Sequence, residues 1–292
     1  MPVSDATENS ATGYELLDSG DGMKLERFGP VTLVRPCARA LWRPRLPRTS
    51  WDAATATFDR TAGNQWHNRT ALPESWVIEV DGLRFRLSST DFGHLGIFPE
   101  QRRFWGWLDR VLRPAEAASG RRPEILNLFA YSGGATLAAA RAGAAVCHLD
   151  ASKGMVQWAR DNAALNDLAD APVRWIVDDV GGFLEREIKR GRHYDGIVLD
   201  PPSFGRGRRG EVFKIETDLL PTLDRCRRLL SARPLFVALS AHSPECTPRV
   251  LANLLGQSLP PGQVDCGELT LEGGEGVVPL PLSAYAWWQA PA

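Results

Sequence analysis

The rhythm of apolar positions changes near Gly120, and that change divides the chain. From Tyr14 to about Thr90, the segments YELL, MKLERFG, VTLVRP, WVIEV and LRFRLSS alternate or cluster apolar residues over strand lengths, separated by SGDG, proline and DG turns. They predict a small β-rich module over residues 13–92. The polar tail before it, residues 1–12, has the composition of a disordered segment. Phe104, Leu108, Val111 and Leu112 then fall at i, i+4, i+7 and i+8, one face of a helix beginning near Pro99. Proline suits that first turn because its missing N–H has no partner there to lose. Residues 93–119 thus form a connecting segment.

After Gly120 the apolar runs become continuous. EILNLFA, AAVCHLD, VRWIVDD, YDGIVLD and PLFVALS predict buried strands, each followed by a helical stretch: ATLAAARAG, Ser152 to about Asp167, GGFLEREIKRG, residues 211–231 and TPRVLANLLG. Strict strand–helix alternation with apolar strands means an α/β fold with a doubly wound, mostly parallel sheet over residues 120–292. VDCGELTL and SAYAWWQA close the chain as two strands able to pair antiparallel, with Trp287 and Trp288 filling the sheet edge and core. No internal repeat stands out.

Composition narrows the class. A chain of 292 residues can bury a full core, and 43% hydrophobic with 24% charged residues is a globular balance rather than a disordered one. Five cysteines without CxxC spacing argue against both a disulfide framework and a zinc site, so the cytoplasm is expected. Neither a signal-like N-terminus nor an apolar run of about 18 residues is present, which predicts a soluble protein with no membrane partner. The five histidines share no metal-ligand spacing, and no metal is expected; His242 alone stands near a strand end. A net charge of −1 supplies no global pull on nucleic acid. Locally, Arg206, Arg208, Arg209 and Lys214 follow the fourth wound strand, as either a solvated loop or a phosphate-contacting one.

The polar residues that interrupt strand ends carry the chemistry. NLFAYSGG (127–134) ends the first wound strand, and its glycines either make a tight turn or bring backbone close to a ligand at a helix N-terminus. Asp150 ends the second strand seventeen residues past Gly133, near the offset at which nucleotide folds place an acid on ribose hydroxyls; its other role would be a helix cap, for which Ser152 is better placed. Asp178 and Asp179 end the third, and either could accept from an adenine amino group, Asp179 being nearer the next helix. Asp200, Pro201, Pro202, Ser203 and Phe204 end the fourth. Two prolines fix φ and stop the sheet, so the acid, a rigid carbonyl and an aromatic ring could grip a planar nitrogen-bearing group. The plainer reading is a strand stop with a core phenylalanine.

Together, LNLFAYSGG, HLD at 148–150, VDD at 177–179 and LDPPSFGRG at 199–207 resemble the class I S-adenosylmethionine-dependent methyltransferases. They are most similar to the ribosomal-RNA large-subunit methyltransferase family, in which a β-rich N-terminal part precedes a Rossmann-like catalytic domain. GHLGIFPEQR at 93–102 resembles that family's segment lying over the cofactor. The resemblance covers residues 80–292 well and the N-terminus loosely. It implies that Phe129, Ala130, Gly133 and Gly134 line the methionine half of S-adenosyl-L-methionine, Asp150 its ribose and Asp179 its adenine, with Phe98, Glu100 and Gln101 capping the pocket. Asp200, Pro201, Pro202 and Phe204 would hold the acceptor, and Arg206, Arg208 and Arg209 the RNA, ribosomal RNA or a precursor particle.

Two departures shape the expectation. The pseudouridine-synthase-like RNA-binding domain that leads many family members has no obvious counterpart here. Pyrimidine C5 methylation needs a thiolate, yet the two places where the resemblance would put it hold Ser203 and Ser240–Ala241–His242, with Cys246 a few residues late. Methylation at a base nitrogen is therefore expected, with oxygen methylation open. A same-fold methyltransferase for protein or a small molecule, C5 chemistry, a nucleotide-dependent oxidoreductase and a non-catalytic binding protein are the alternatives.

Overall fold

The computed structural model describes residues 13–61, 63–207 and 210–291. The predicted tail lies outside them. The chain divides into two compact units, Met1–Glu100 with Thr270–Leu282, and Gln101–Leu269 with Ser283–Ala292.

The first unit is built from β1 (Tyr14–Gly20), β2 (Met23–Phe28), β3 (Val31–Pro36), α1 (Arg48–Asp52), β4 (Ala56–Asp59), β5 (Gln65–His67), β6 (Trp76–Val80) and β7 (Leu83–Leu87). β1 to β5 form one sheet in sequence order, and β6–β7 form a separate hairpin with alternating burial. β4 and β5 were not expected: four and three residues long, they are too short for a periodic signal. Glu26 is fully buried, accepting from Arg35 Nε at 2.8 Å, Arg35 Nη2 at 2.9 Å, Lys24 Nζ at 3.0 Å and Tyr14 Oη at 3.1 Å. Burial pushes its carboxyl up, but Arg35 and Lys24 more than compensate and hold it below the usual range. Leu271 and Leu280 pack with Leu16, Cys37 and Ala40, so residues 270–282 belong to this unit rather than to a single 120–292 domain. Strand periodicity shows that a face is buried, not which core buries it.

The second unit contains α2 (Arg102–Ser119), β8 (Glu124–Leu128), α3 (Gly134–Arg141), β9 (Ala145–Asp150), α4 (Lys153–Leu165), β10 (Val173–Val177), α5 (Val180–Lys189), β11 (Gly196–Leu199), β12 (Phe204–Arg206), β13 (Val212–Lys214), α6 (Ile215–Arg228), β14 (Phe236–Ala241), α7 (Pro248–Ser258), β15 (Gln263–Leu271) and β16 (Leu280–Gln289), although residues 270–282 at the ends of its last two strands cluster with the first unit. Its seven-stranded sheet runs β10-β9-β8-β11-β14-β16-β15. β8 to β11 and β14 are parallel, and β16 enters antiparallel to β14. Strand order reverses between β8 and β11, and in such sheets ligands collect outside the carboxyl ends at that reversal.

The opposite end is pinned. Asp195, just before β11, takes both Arg121 Nη atoms at 2.7 Å, the Glu124 N–H at 2.9 Å and Ser231 Oγ at 2.8 Å. Burial raises its carboxyl, but Arg121 and these donors bring it below its usual range. Leu126, Leu149, Ile197, Leu199, Val237 and Leu239 are wholly buried between the helix layers, each contributing about 1.5–3 kcal/mol of transfer free energy. Trp287 and Trp288 are buried too.

The predicted helix 211–231 is shorter than expected. Phe204, Gly205 and Arg206 pair antiparallel with Lys214, Phe213 and Val212, so those residues form a hairpin, and α6 starts at Ile215. The Lys214 N–H donates to Asp218 at 2.6 Å, fixing the boundary.

Candidate active site

At the end of β8 the backbone turns left-handed three times in five residues: Phe129 at φ 55°, Tyr131 at 49° and Gly133 at 95°. A non-glycine residue held there costs roughly 1–3 kcal/mol, so neighbours must enforce the shape. They do. Ala130 N–H donates to Leu149 O at 3.0 Å, and Tyr131 N–H to Asp150 Oδ2 at 2.9 Å. Asn127 Nδ2 donates to Thr136 Oγ1 at 2.9 Å, and that hydroxyl bonds His148 Nδ1 at 2.9 Å, all three side chains being buried.

Burial lowers His148 to about 3 from its usual 6.5. Unfolded chains therefore bind a proton near pH 6.5 that the folded protein refuses, and stability falls as pH drops from about 6.5 toward 3. Stability should be lower at pH 5.5 than at pH 7.5 by on the order of 1 kcal/mol from this group, and His148→Gln should remove that difference.

The glycines have packing reasons. A Cβ on Gly133 would lie 3.0 Å from Ala159 Cβ of α4, and one on Gly134 would lie 2.8 Å from Trp105 Cζ2 of α2. They let α3 start against its neighbouring helices.

Asp150 sits at the tip of β9, taking the Ser152 N–H on Oδ1 at 2.8 Å and the Tyr131 N–H on Oδ2. Burial pushes its carboxyl up, partly offset by those two N–H groups. Each oxygen keeps a lone pair, the pair of acceptors that the two hydroxyls of a vicinal diol require. Ser152 caps α4, as expected, accepting from Met155 N–H at 3.3 Å. Asp178 is ion-paired with Arg186 and accepts the Asp179 N–H at 3.0 Å. Asp179 caps α5, accepting the Gly182 N–H on Oδ2 at 2.8 Å.

Beyond β11, Pro201 is buried and Pro202 exposed. Ser203 is tied down twice, its Oγ 2.5 Å from Ser243 Oγ and its carbonyl accepting the Ile215 N–H at 3.1 Å. Asp200 accepts from Ser240 Oγ on Oδ1 at 2.8 Å and from Gln101 Nε2 on Oδ2 at 3.1 Å. Phe204 is 51% exposed, with the Arg206 guanidinium 5.6 Å from its ring centroid. Phe213 faces inward, 4.9 Å from the Phe129 ring.

A family model described as S-adenosylmethionine-dependent methyltransferase matches residues 57–253. The chain belongs to this family. A solved S-adenosylmethionine-dependent methyltransferase from Agrobacterium tumefaciens is 39% identical and covers 97% of this chain and 92% of its own, with TM-score 0.89. A Streptococcus mutans structure at 19% identity, covering 96% and 76%, shares the fold at TM-score 0.73. Among curated relatives, "Ribosomal RNA large subunit methyltransferase K" of Neisseria meningitidis is 29% identical over 73% of this chain, and "Ribosomal RNA large subunit methyltransferase K/L" of Methylococcus capsulatus 35% identical over 53%. The chain spans 61% of the first relative's length and 20% of the second's.

The strand tips thus gather Asp150 and the turn at Phe129 and Ala130 beside β8 and β9, and Asp200 with its prolines at β11. Gln101, implied as a cofactor cap, is hydrogen-bonded to Asp200. Phe98 and Glu100 lie in the first unit, Phe98 edge-on to His94 and Glu100 buried. Arg208 and Arg209 fall outside the described residues, and Arg206 is exposed. Sequence reasoning noted Ser240 only as standing where a thiolate would be, missing its bond to Asp200, and it missed Phe213 altogether. Ser240 carried a signal, a polar residue near the carboxyl end of an apolar strand; Phe213 carried none. Cys246 is packed in the core, its thiol pushed up by burial and by Glu245 and Glu216. Among the described residues no cluster of three or more His, Cys, Asp or Glu could hold a metal, and no helix is long and apolar enough to cross a membrane.

Proposed function

We propose that this methyltransferase modifies a base nitrogen of RNA, with large-subunit ribosomal RNA in the cytoplasm as its substrate. The observation that carries the reading is the Asp200 carboxylate, fixed at the tip of β11 with a rigid proline corner and the exposed Phe204 after it. The curated relatives' names, which refer to large-subunit ribosomal RNA, support the choice of substrate.

Asp150 would hold the ribose of S-adenosylmethionine, Asp179 with its remaining oxygen the adenine, and the turn at Phe129, Ala130 and Gly133 the methionine part. The bound cofactor supplies an activated methyl group on a positively charged sulfur. This chain's contribution is alignment and exclusion of water, which together account for most of the acceleration in such displacements. Asp200 orients the acceptor, and Pro201 and Pro202 keep the corner from moving. Phe204, backed by the Arg206 guanidinium, offers a stacking face for a base that has left its helix. Arg206, Arg208 and Arg209 would meet phosphates.

No thiolate takes part. Cys246→Ser should leave kcat unchanged, and an inactive variant would restore covalent C5 chemistry.

Mass spectrometry of ribosomal RNA nucleosides from a deletion strain and its complemented parent tests the proposal. One N-methylated base lost on deletion and restored on complementation is expected. Identical nucleoside profiles would reject RNA and favour a protein or small-molecule acceptor.

A further inference from the structure

Gln101, Ser240 and Asp200 close a ring of three hydrogen bonds. Gln101 Nε2 donates to Asp200 Oδ2 at 3.1 Å and to Ser240 Oγ at 3.3 Å, and Ser240 Oγ donates to Asp200 Oδ1 at 2.8 Å. The three residues come from the helical turn before α2, from β14 and from the end of β11, and Gln101 and Ser240 are buried.

The direction of the hydrogens matters. An amide nitrogen carries two and a hydroxyl one, so all three are spent inside the ring and run toward the carboxylate. What stays unspent on Asp200 is acceptor capacity, about one lone pair on each oxygen. The ring can receive a hydrogen bond and has none to give.

We propose that Gln101 and Ser240 are positioning residues that lock the plane of the Asp200 carboxylate, and that this lock restricts the acceptor to an exocyclic amino group. The proposal rests on the reading that Asp200 faces the acceptor. An amino group brings hydrogens to the two waiting lone pairs. A ring nitrogen presents only its own lone pair to them, which repels. A ribose hydroxyl has a hydrogen but no flat face for Phe204. Transfer forms the N–C bond and breaks the S–C bond with its electrons left on sulfur. One amine hydrogen departs as a proton, which the Asp200 carboxylate accepts and passes to water.

The full chain, with large-subunit ribosomal RNA from a deletion strain as substrate, tests this. Ser240→Ala and Gln101→Met should each lower kcat by about 10- to 100-fold, the scale of a slightly misplaced reacting group. S-adenosylhomocysteine affinity of Ser240→Ala should stay within a few-fold of wild type, and Ser240→Thr, which keeps the hydroxyl, should recover most of the rate. The product should carry its methyl on an exocyclic amine. Clamp variants with wild-type kcat, or a methyl on a ring nitrogen or ribose, would overturn the proposal. Asp200→Ala run in parallel separates the two layers: if it too is fully active, the underlying role of Asp200 fails; if it alone is dead, only the clamp fails. A readout without substrate completes the test. In crystals of Ser240→Ala the Asp200 carboxylate should leave its wild-type rotamer, and an unmoved carboxylate would contradict positioning.

Discussion

Asp200→Ala should reduce methyl transfer by at least about 100-fold, the scale of losing an orienting contact to the acceptor, while S-adenosylhomocysteine binds within a few-fold of wild type. The asymmetry follows from where the residue stands. Its partners are Ser240 and Gln101, on β14 and before α2, whereas the turn stitched to β9 hangs on other atoms: Ala130 and Tyr131 N–H groups on Leu149 O and Asp150. Removing the Asp200 carboxylate leaves that second set of bonds intact. Single-turnover rates with saturating cofactor, alongside calorimetric binding of S-adenosylhomocysteine, provide the check. A large loss of cofactor affinity would move Asp200 to the cofactor's side of the site.

Asp150→Ala should do the reverse. Truncating a charged acceptor that holds the ribose costs about 1–3 kcal/mol of binding, roughly a 5- to 150-fold weaker dissociation constant. The same change strips the Tyr131 and Ser152 N–H groups of their acceptor, so the left-handed turn at Phe129 and Tyr131 should loosen and the thermal midpoint fall. Burial has pushed this carboxyl up, and only its ionised form offers every lone pair to hydroxyls. Cofactor affinity should therefore be full well above the raised pKa and decline as pH falls through it, a decline absent from Asp150→Ala. Unchanged affinity in the variant, measured by calorimetry, would remove Asp150 from the ribose.

Much of this was legible in the residues because parallel sheets bury both faces. A continuous apolar strand makes any acid at its tip conspicuous, which is how Asp150, Asp178, Asp179 and Asp200 stood out, and strict alternation with helices announced the wound sheet. Family membership answers the oxidoreductase alternative. What stayed hidden depends on long-range packing. Gly133 and Gly134 stood out as candidates to line a ligand, but not as places where Ala159 and Trp105 also leave no room for a side chain. Asp179 was set apart from Asp178 only by lying nearer the next helix; that Asp178 is ion-paired and Asp179 a helix cap could not be read from the residues. Gln101 gave no sign that its partner lay 99 positions away. Residues 204–214 lacked the length for a periodic strand signal, so the hairpin that holds Phe204 outward and Phe213 against Phe129 was read as loop and helix.

The most direct test is a crystal structure of the full chain with S-adenosylhomocysteine. It should show the ribose hydroxyls on the Asp150 carboxylate and the homocysteine part along the turn at Phe129 and Ala130, leaving the face of Asp200 open for an acceptor. Product bound away from Asp150, or lying across Asp200, would contradict it.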